Sequence, residues 1–412
     1  MNIASGQGWR TAVRAEHETA KGWRFRPGSR WVPAALGVAA VLAGWLAVPV
    51  SASASARTSP VVGHVYVNDN TAGANTVAAF DRHADGTLTP EAGSPFAAGG
   101  AGTGAGLASQ GALQISPDGR FLIAADAGSN QVSVLRIRPD GSLRLVPGGV
   151  RASRGILPVS IAIHGDLVYV ANSGTGGSNY TGFRLAGDGG LRPIPGSTVS
   201  LPAGSQPGDV LFNGTGRKLV GTRVGTSMID SFTVGWDGRL TAAPGSPFNA
   251  QGLGPFGSEF RPTDPDQLFV SNAHNTATDS GTISAFRDSG SGRLTPIGSS
   301  PFPDLQMAPC WVEISSSGRF LFTVNTASGT ISRYFIHGDG ALALLGSTPV
   351  RSTGGVGAVD ARLSPDGHFL YLDESKIGAV GIFAVHGGRL AELPGSPVSL
   401  PAGATPAGVV VS

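Results

Sequence analysis

The residues equipped to act on a small molecule fall at two register positions of a repeated strand. One position reads Gln114, Ala162, Leu211, Glu259, Glu313, Arg362 and Val410; two residues earlier in each copy stand Ala112, Ser160, Asp209, Gly257, Trp311, Asp360 and Gly408. Side chains alternate along a strand with period two, so both sets share one face. The carboxyls of Asp209, Glu259, Glu313 and Asp360 are candidates for general acid and base work, which needs groups that exchange a proton near the working pH. On this reading Arg362 holds an anion, Gln114 adds a hydrogen-bonding amide and Trp311 forms an aromatic wall. The competing reading pairs Arg362 with Glu313 on the adjacent copy as a structural ion pair, since buried charges are usually paired.

Other residues offer weaker chemistry. His274, in the Asn272-Ala273-His274-Asn275 loop, is a candidate base, because histidine titrates near neutrality and loops carry sites. Asp373-Glu374 with Lys376 reads as a charged surface. Asn68-Asp69-Asn70 offers oxygen ligands but lacks the spaced acidic set of a calcium loop, and no metal is expected. Cys310, the single cysteine, has no partner in the chain and no His or Lys beside it, so a packed thiol is expected. Asn179-Tyr180-Thr181 and Asn213-Gly214-Thr215 match the glycosylation sequon. No Gly-x-Ser-x-Gly elbow, zinc motif or phosphate loop is present.

The elements that must position these residues are strands. Turns at Asp85-Gly86, Asp140-Gly141, Asp188-Gly189, Asp237-Gly238, Ser291-Gly292, Asp339-Gly340 and Gly387-Gly388 are spaced 55, 48, 49, 54, 48 and 48 residues apart, glycine to glycine. That period belongs to propeller blades. A second series of apolar runs keeps the same register: His64 to Val67, Phe121 to Ala124, Leu167 to Val170, Lys218 to Gly221, Gln267 to Val270, Phe320 to Thr323 and Phe369 to Leu372. The expected fold is an all-β, seven-bladed β-propeller of four-stranded blades. No innermost strand precedes His64, and Val409 to Ser412 reads as one with nothing after it. The C-terminal strand is therefore expected to close the first blade, which removes the open sheet edges. Charged residues make up only 14% of the chain, and no amphipathic helix follows residue 60.

Residues 1–56 read as a signal peptide: Arg10, Arg14, Lys21, Arg24, Arg26 and Arg30, then the apolar run Val32 to Val50, then overlapping Ala-x-Ala sites from Ser51 to Ala56. Residues 57–412 are the propeller. The protein is expected to be secreted or extracytoplasmic, membrane-bound only if the leader is kept, and monomeric. The leader carries six basic and two acidic groups, so the net charge of +2 for the whole chain becomes about −2 without it. The apparent basicity belongs to targeting, and a nucleic-acid partner is not expected.

Ser-Pro-Asp-Gly turns followed by Phe-Leu, an Asn or Asp after most second strands, and Pro-Gly-Ser-Pro at Pro244 to Pro247 and Pro394 to Pro397 make the chain similar to the seven-bladed lactonase family. That family includes propeller 6-phosphogluconolactonases and carboxymuconate-cyclizing enzymes. The resemblance implies a Pro-His-x-His stretch before the turn at Ser116, where this chain has Ser109-Gln110-Gly111. It also implies Gly-Pro-Arg-His-x-x-Phe-x-Pro, which aligns with Gly254 to Pro262 but has Phe256 for Arg and Gly257 for His. The family's Asn-Glu becomes Asn272-Ala273. Lactone chemistry on an acidic substrate needs a cation and a proton-transfer group, and Phe and Gly supply neither. A binding or scaffold protein with no cofactor is expected, its partner a small acidic ligand, a wall polymer or a protein. The alternative is a lactone hydrolase or cyclase working outside the membrane.

Overall fold

The computed structural model describes residues 59–275, 277–351 and 357–412. The proposed leader lies outside them. Seven antiparallel sheets follow one another around a central channel, each a meander whose innermost strand is, in blades 2 to 7, the first in the chain. The innermost strands of blades 2 to 7 are Leu113–Ile115, Pro158–His164, Pro207–Phe212, Pro255–Arg261, Pro309–Ile314 and Ala358–Leu363. Blade 1 is built from both ends of the domain. Its innermost strand is Val409–Val411, paired antiparallel with Val61–Asn68 so that Val65 faces Val411 and Val67 faces Val409. Ser412 N donates to His64 O at 2.9 Å, and Arg82 Nη2 donates to Ser412 O at 3.1 Å. Arg57–Ser412 forms one compact unit that contains every strand of all seven sheets.

Contact between blades explains the glycine period. The seven turn glycines have φ from +77° to +94°, a region glycine enters without the Cβ penalty. Each is also pressed against a neighbour. A Cβ on Gly86 would lie 2.2 Å from Phe369, on Gly141 2.2 Å from His64, and on Gly388 2.5 Å from Phe320. These partners sit on the second strand of the preceding blade, the series of apolar runs that kept register with the turns. Tyr66, Tyr169 and Tyr371 of the same strands are fully buried and donate their hydroxyls to Gly141 O, Gly238 O and Gly86 O at 2.9, 2.8 and 3.1 Å. A buried tyrosine hydroxyl needs such an acceptor, so each tyrosine fastens its blade to the next turn.

In blades 1, 2, 3 and 6 the Asn or Asp at the end of the second strand is a rung rather than a turn former. Asp69 with Thr76, Asp126 with Ser133, Asn172 with Asn179, and Asn325 with Ser332 join the second and third strands across their hairpin. The Ser of four Ser-Pro segments has a comparable task. Ser94, Ser246, Ser300 and Ser396 accept the third-strand amides of Ala79, Ser231, Ala285 and Ile382 at 2.7–3.0 Å, where the fourth strand breaks off.

Candidate functional site

An antiparallel meander puts the second-to-third and fourth-to-first connections at one end of every blade. This loop face receives the start of each innermost strand. Below it the candidate carboxylates stitch the channel wall together. Glu259 Oε2 accepts Ile314 N at 2.7 Å, and one blade on Glu313 Oε1 accepts Leu363 N at 2.8 Å. The two glutamates therefore repeat one interaction, each holding the next innermost strand at the same register. Glu313 Oε2 also accepts Arg362 Nη1 at 3.1 Å, with side-chain exposures of 8% and 24%. Asp209 spans three blades: Oδ1 accepts Ser160 Oγ at 3.1 Å, and Oδ2 accepts Ser258 N and Oγ at 2.9 and 2.6 Å.

Burial dominates the electrostatics of this ring. It lifts Asp209 to about 7 against the hydrogen bonds from Ser258 and Ser160. Glu259 is raised by burial and then by the facing Glu313 charge, and Glu313 by burial in spite of Arg362. For Arg362, burial alone would favour proton loss, but Glu313, Asp360, Glu259 and Asp209 outweigh it and hold the guanidinium charged. Gln114 is half-buried on the same wall.

The ring is closed off from the loop face by a plug. Residues 107–111, leading into the innermost strand of blade 2, reach across the channel mouth. Gly111 O accepts Ile161 N of blade 3 at 2.9 Å, and Gln110 N donates to Gly208 O of blade 4 at 3.0 Å. The Gln110 amide spans blades 5 and 6, its Nε2 donating to Ser258 O and Val312 O at 3.1 and 3.2 Å and its Oε1 accepting Val312 N at 3.0 Å. Trp311 Nε1 donates to Ser109 O at 2.9 Å, and Gly111 N donates to Asp360 Oδ2 of blade 7 at 3.3 Å. Gly257 makes room for this arrangement, since a Cβ there would lie 2.0 Å from Gln110 Oε1 and 2.7 Å from Cys310 O. The two departures from the family pattern, Gln110 and Gly257, thus meet in one contact. Residue spacing gave no sign of this, although both had stood out as mismatches.

Above the plug, between blades 5, 6 and 7, lies a cavity of about 460 Å³. Phe256 and Trp311 form its aromatic corner, ring centroids 5.3 Å apart and 61° between planes. Leu107, Ala273, Ala308, Val359 and Ala407 continue the apolar wall. Of the candidate residues only Trp311, Asp360 and His274 line it; Gln114, Asp209, Glu259, Glu313 and Arg362 do not. Asp360 is held by Ala361 N on Oδ1 and Gly111 N on Oδ2, and burial raises its pKa. Cys310 also lines the cavity, its thiol pushed up to about 12 by burial, so it is a wall atom and not a nucleophile. Among the described residues the His274 ring has no carboxylate within ion-pair distance. Among the described residues no lysine or arginine lines the cavity. Elsewhere, ligand-type atoms of His64, Asp81 and Glu91 lie within 4.8 Å of one another on blade 1, with His64 Nδ1 already 3.3 Å from Asp81 Oδ1.

The comparisons agree with this architecture. A putatively assigned 6-phosphogluconolactonase from Bacteroides uniformis superposes with a TM-score of 0.68 at 20% identity, over 85% of this chain and 99% of that one. The periplasmic gluconolactonase of Pseudomonas aeruginosa gives 0.66 at 18% identity, over 85% and 98%. A hypothetical selenium-binding protein from Sulfolobus tokodaii gives 0.58 at 12% identity, over 86% and 94%. At these identities the likeness is one of fold, and the fold serves different activities. No curated protein matches the sequence. The family model for the lactonase seven-bladed β-propeller matches residues 61–255 and 260–406, leaving out only the stretch around Phe256 and Gly257 within that span. The chain belongs to the lactonase family of seven-bladed β-propellers.

Proposed function

We propose that this protein is an exported binding propeller that uses the cavity on its loop face and has given up the family's lactone chemistry. The observation that carries the reading is the plug. Gln110 fills the space beside Gly257, and Phe256 packs on Trp311 where the family resemblance implies an arginine. Opening a lactone ring needs donors or a cation aimed at the developing oxyanion and a group to move the proton. Among the described residues the cavity offers no lysine or arginine, and the His274 ring has no carboxylate to orient it. The leader at residues 1–56 supports export, and one protein of similar fold is a periplasmic gluconolactonase.

The test is turnover. Residues 57–412 incubated with 6-phosphogluconolactone or muconolactone are expected to open the ring no faster than buffer, within about tenfold. Turnover well above this that disappears in Asp360→Asn or His274→Ala would overturn the reading and assign catalysis to the cavity.

A further inference from the structure

Building on that reading, we propose that the cavity's ligand is a neutral, mostly apolar ring compound carrying one hydrogen-bonding group, and not the acidic molecule that family ancestry suggests. Charge is the first argument. Among the described residues the lining contains one carboxyl, Asp360, and no lysine or arginine. An anion placed there would face Asp360 with no lysine or arginine among the described lining residues and His274 as the one basic group, since the nearby Arg362 is engaged with Glu313 at 3.1 Å outside the lining. Removing a carboxylate or phosphate from water without a partner is costly.

Shape is the second. About 460 Å³ bounded by Phe256, Trp311, Leu107, Val359 and alanines suits roughly one or two fused rings. The Phe256 and Trp311 rings already stand edge to face, and the Trp311 indole is locked by its bond to Ser109 O at 2.9 Å. The aromatic corner is therefore formed before a ligand arrives, and little side-chain freedom is lost on binding.

The third argument names the polar contact. Ser109 lines the cavity and is 7% exposed, yet its Oγ is buried without a hydrogen-bond partner among the described residues. Buried hydroxyls are rarely left unmade. Three other polar groups of the lining are committed: the Trp311 Nε1 proton goes to Ser109 O, Thr326 Oγ1 donates to Ala358 O at 2.9 Å, and both Asp360 oxygens accept amides, while the His274 ring is another polar group of the wall. A ligand hydroxyl, carbonyl or amine within reach of Ser109 would complete the set.

Calorimetry on residues 57–412 with 1-naphthol, naphthalene, 1-naphthoate and 6-phosphogluconate tests this. Naphthol is expected to bind one to one, with naphthoate at least about tenfold weaker and phosphogluconate silent. Ser109→Ala should weaken naphthol about three- to tenfold, the net worth of one hydrogen bond, and leave naphthalene within about twofold. Ala327→Phe, at an exposed position of the cavity rim, should block both without disturbing the fold as read by circular dichroism. Naphthoate or phosphogluconate binding as tightly as naphthol would overturn the ligand class while leaving a binding protein. Binding untouched by Ala327→Phe would overturn the site, and a folded protein that takes up none of the four would overturn the ligand class as well. Lactone turnover, measured separately, bears on the binding reading alone.

Discussion

Arg362 shows how one side chain can carry two meanings until its partners are known. It is the one cation of the candidate ring, and its guanidinium donates to Glu313, whose other oxygen caps the amide of Leu363. Removing the arginine leaves Glu313 buried beside Glu259 with no opposite charge, and breaking such a pair from one side costs about 3–5 kcal/mol. Arg362→Ala is therefore expected to lower the unfolding free energy by roughly that amount. Adding Glu313→Gln, which keeps an acceptor for Leu363 N, should recover part of the loss. Denaturant unfolding of the two single variants and the double variant measures the coupling. An Arg362→Ala protein as stable as the parent would mean that the guanidinium serves something other than the channel wall.

At the scale of elements, the plug does what a ring of seven blades does not do by itself. A propeller links each blade mainly to its two neighbours, whereas residues 107–111 bind blades 3, 4, 5, 6 and 7 from the centre. Gln110 is 5% exposed and makes three amide contacts. Truncating it strands one buried donor and two buried acceptors, at about 1–3 kcal/mol for such a group. Gly257→Ala should be worse, because its Cβ would collide with Gln110 Oε1 at 2.0 Å and with the backbone of Cys310 at 2.7 Å. In Gln110→Ala the first collision is gone and the second stays. Thermal unfolding is thus expected to show the Gly257→Ala, Gln110→Ala double variant losing less than the sum of the two single variants. Strict additivity would mean that the two positions do not share the space as described.

At the scale of the molecule, buried carboxyls set the pH response. Burial lifts Asp69 and Asp209 to about 7, and Asp288 and Asp304 to about 6, with the hydrogen bonds of each only partly opposing it. In the unfolded chain all four titrate near 4. Between about pH 4 and 7 the folded protein holds protons that the unfolded chain has released, so stability is fully present below that window and is lost as pH rises through it. The melting temperature is expected to be higher at pH 5 than at pH 8. Asp209→Asn, whose amide can donate to Ser160 Oγ, should flatten that slope. A melting temperature that climbs steadily from pH 5 to 8 would contradict the burial of these groups.

The sequence by itself determined the architecture. Turn glycines at a period of 48 to 55 residues, each with an apolar run in register, specify seven blades because the glycines are needed wherever one blade presses on the next. Val409 to Ser412 was likewise legible as the missing innermost strand, since an unpaired strand at one end requires a partner at the other. Strand alternation put Asp209, Glu259, Glu313, Asp360 and Arg362 on the channel side, but period two says nothing about depth or about what crosses the channel. Only the tertiary structure decided that Glu259 and Glu313 cap the next blade's amides, that Gln110 fills the place opened by Gly257, and that of the candidate residues only Trp311, Asp360 and His274 reach the cavity. Those contacts and the rest of the plug join residues up to 249 positions apart, brought together by closure of the ring, and no local pattern in the chain encodes a distance of that kind.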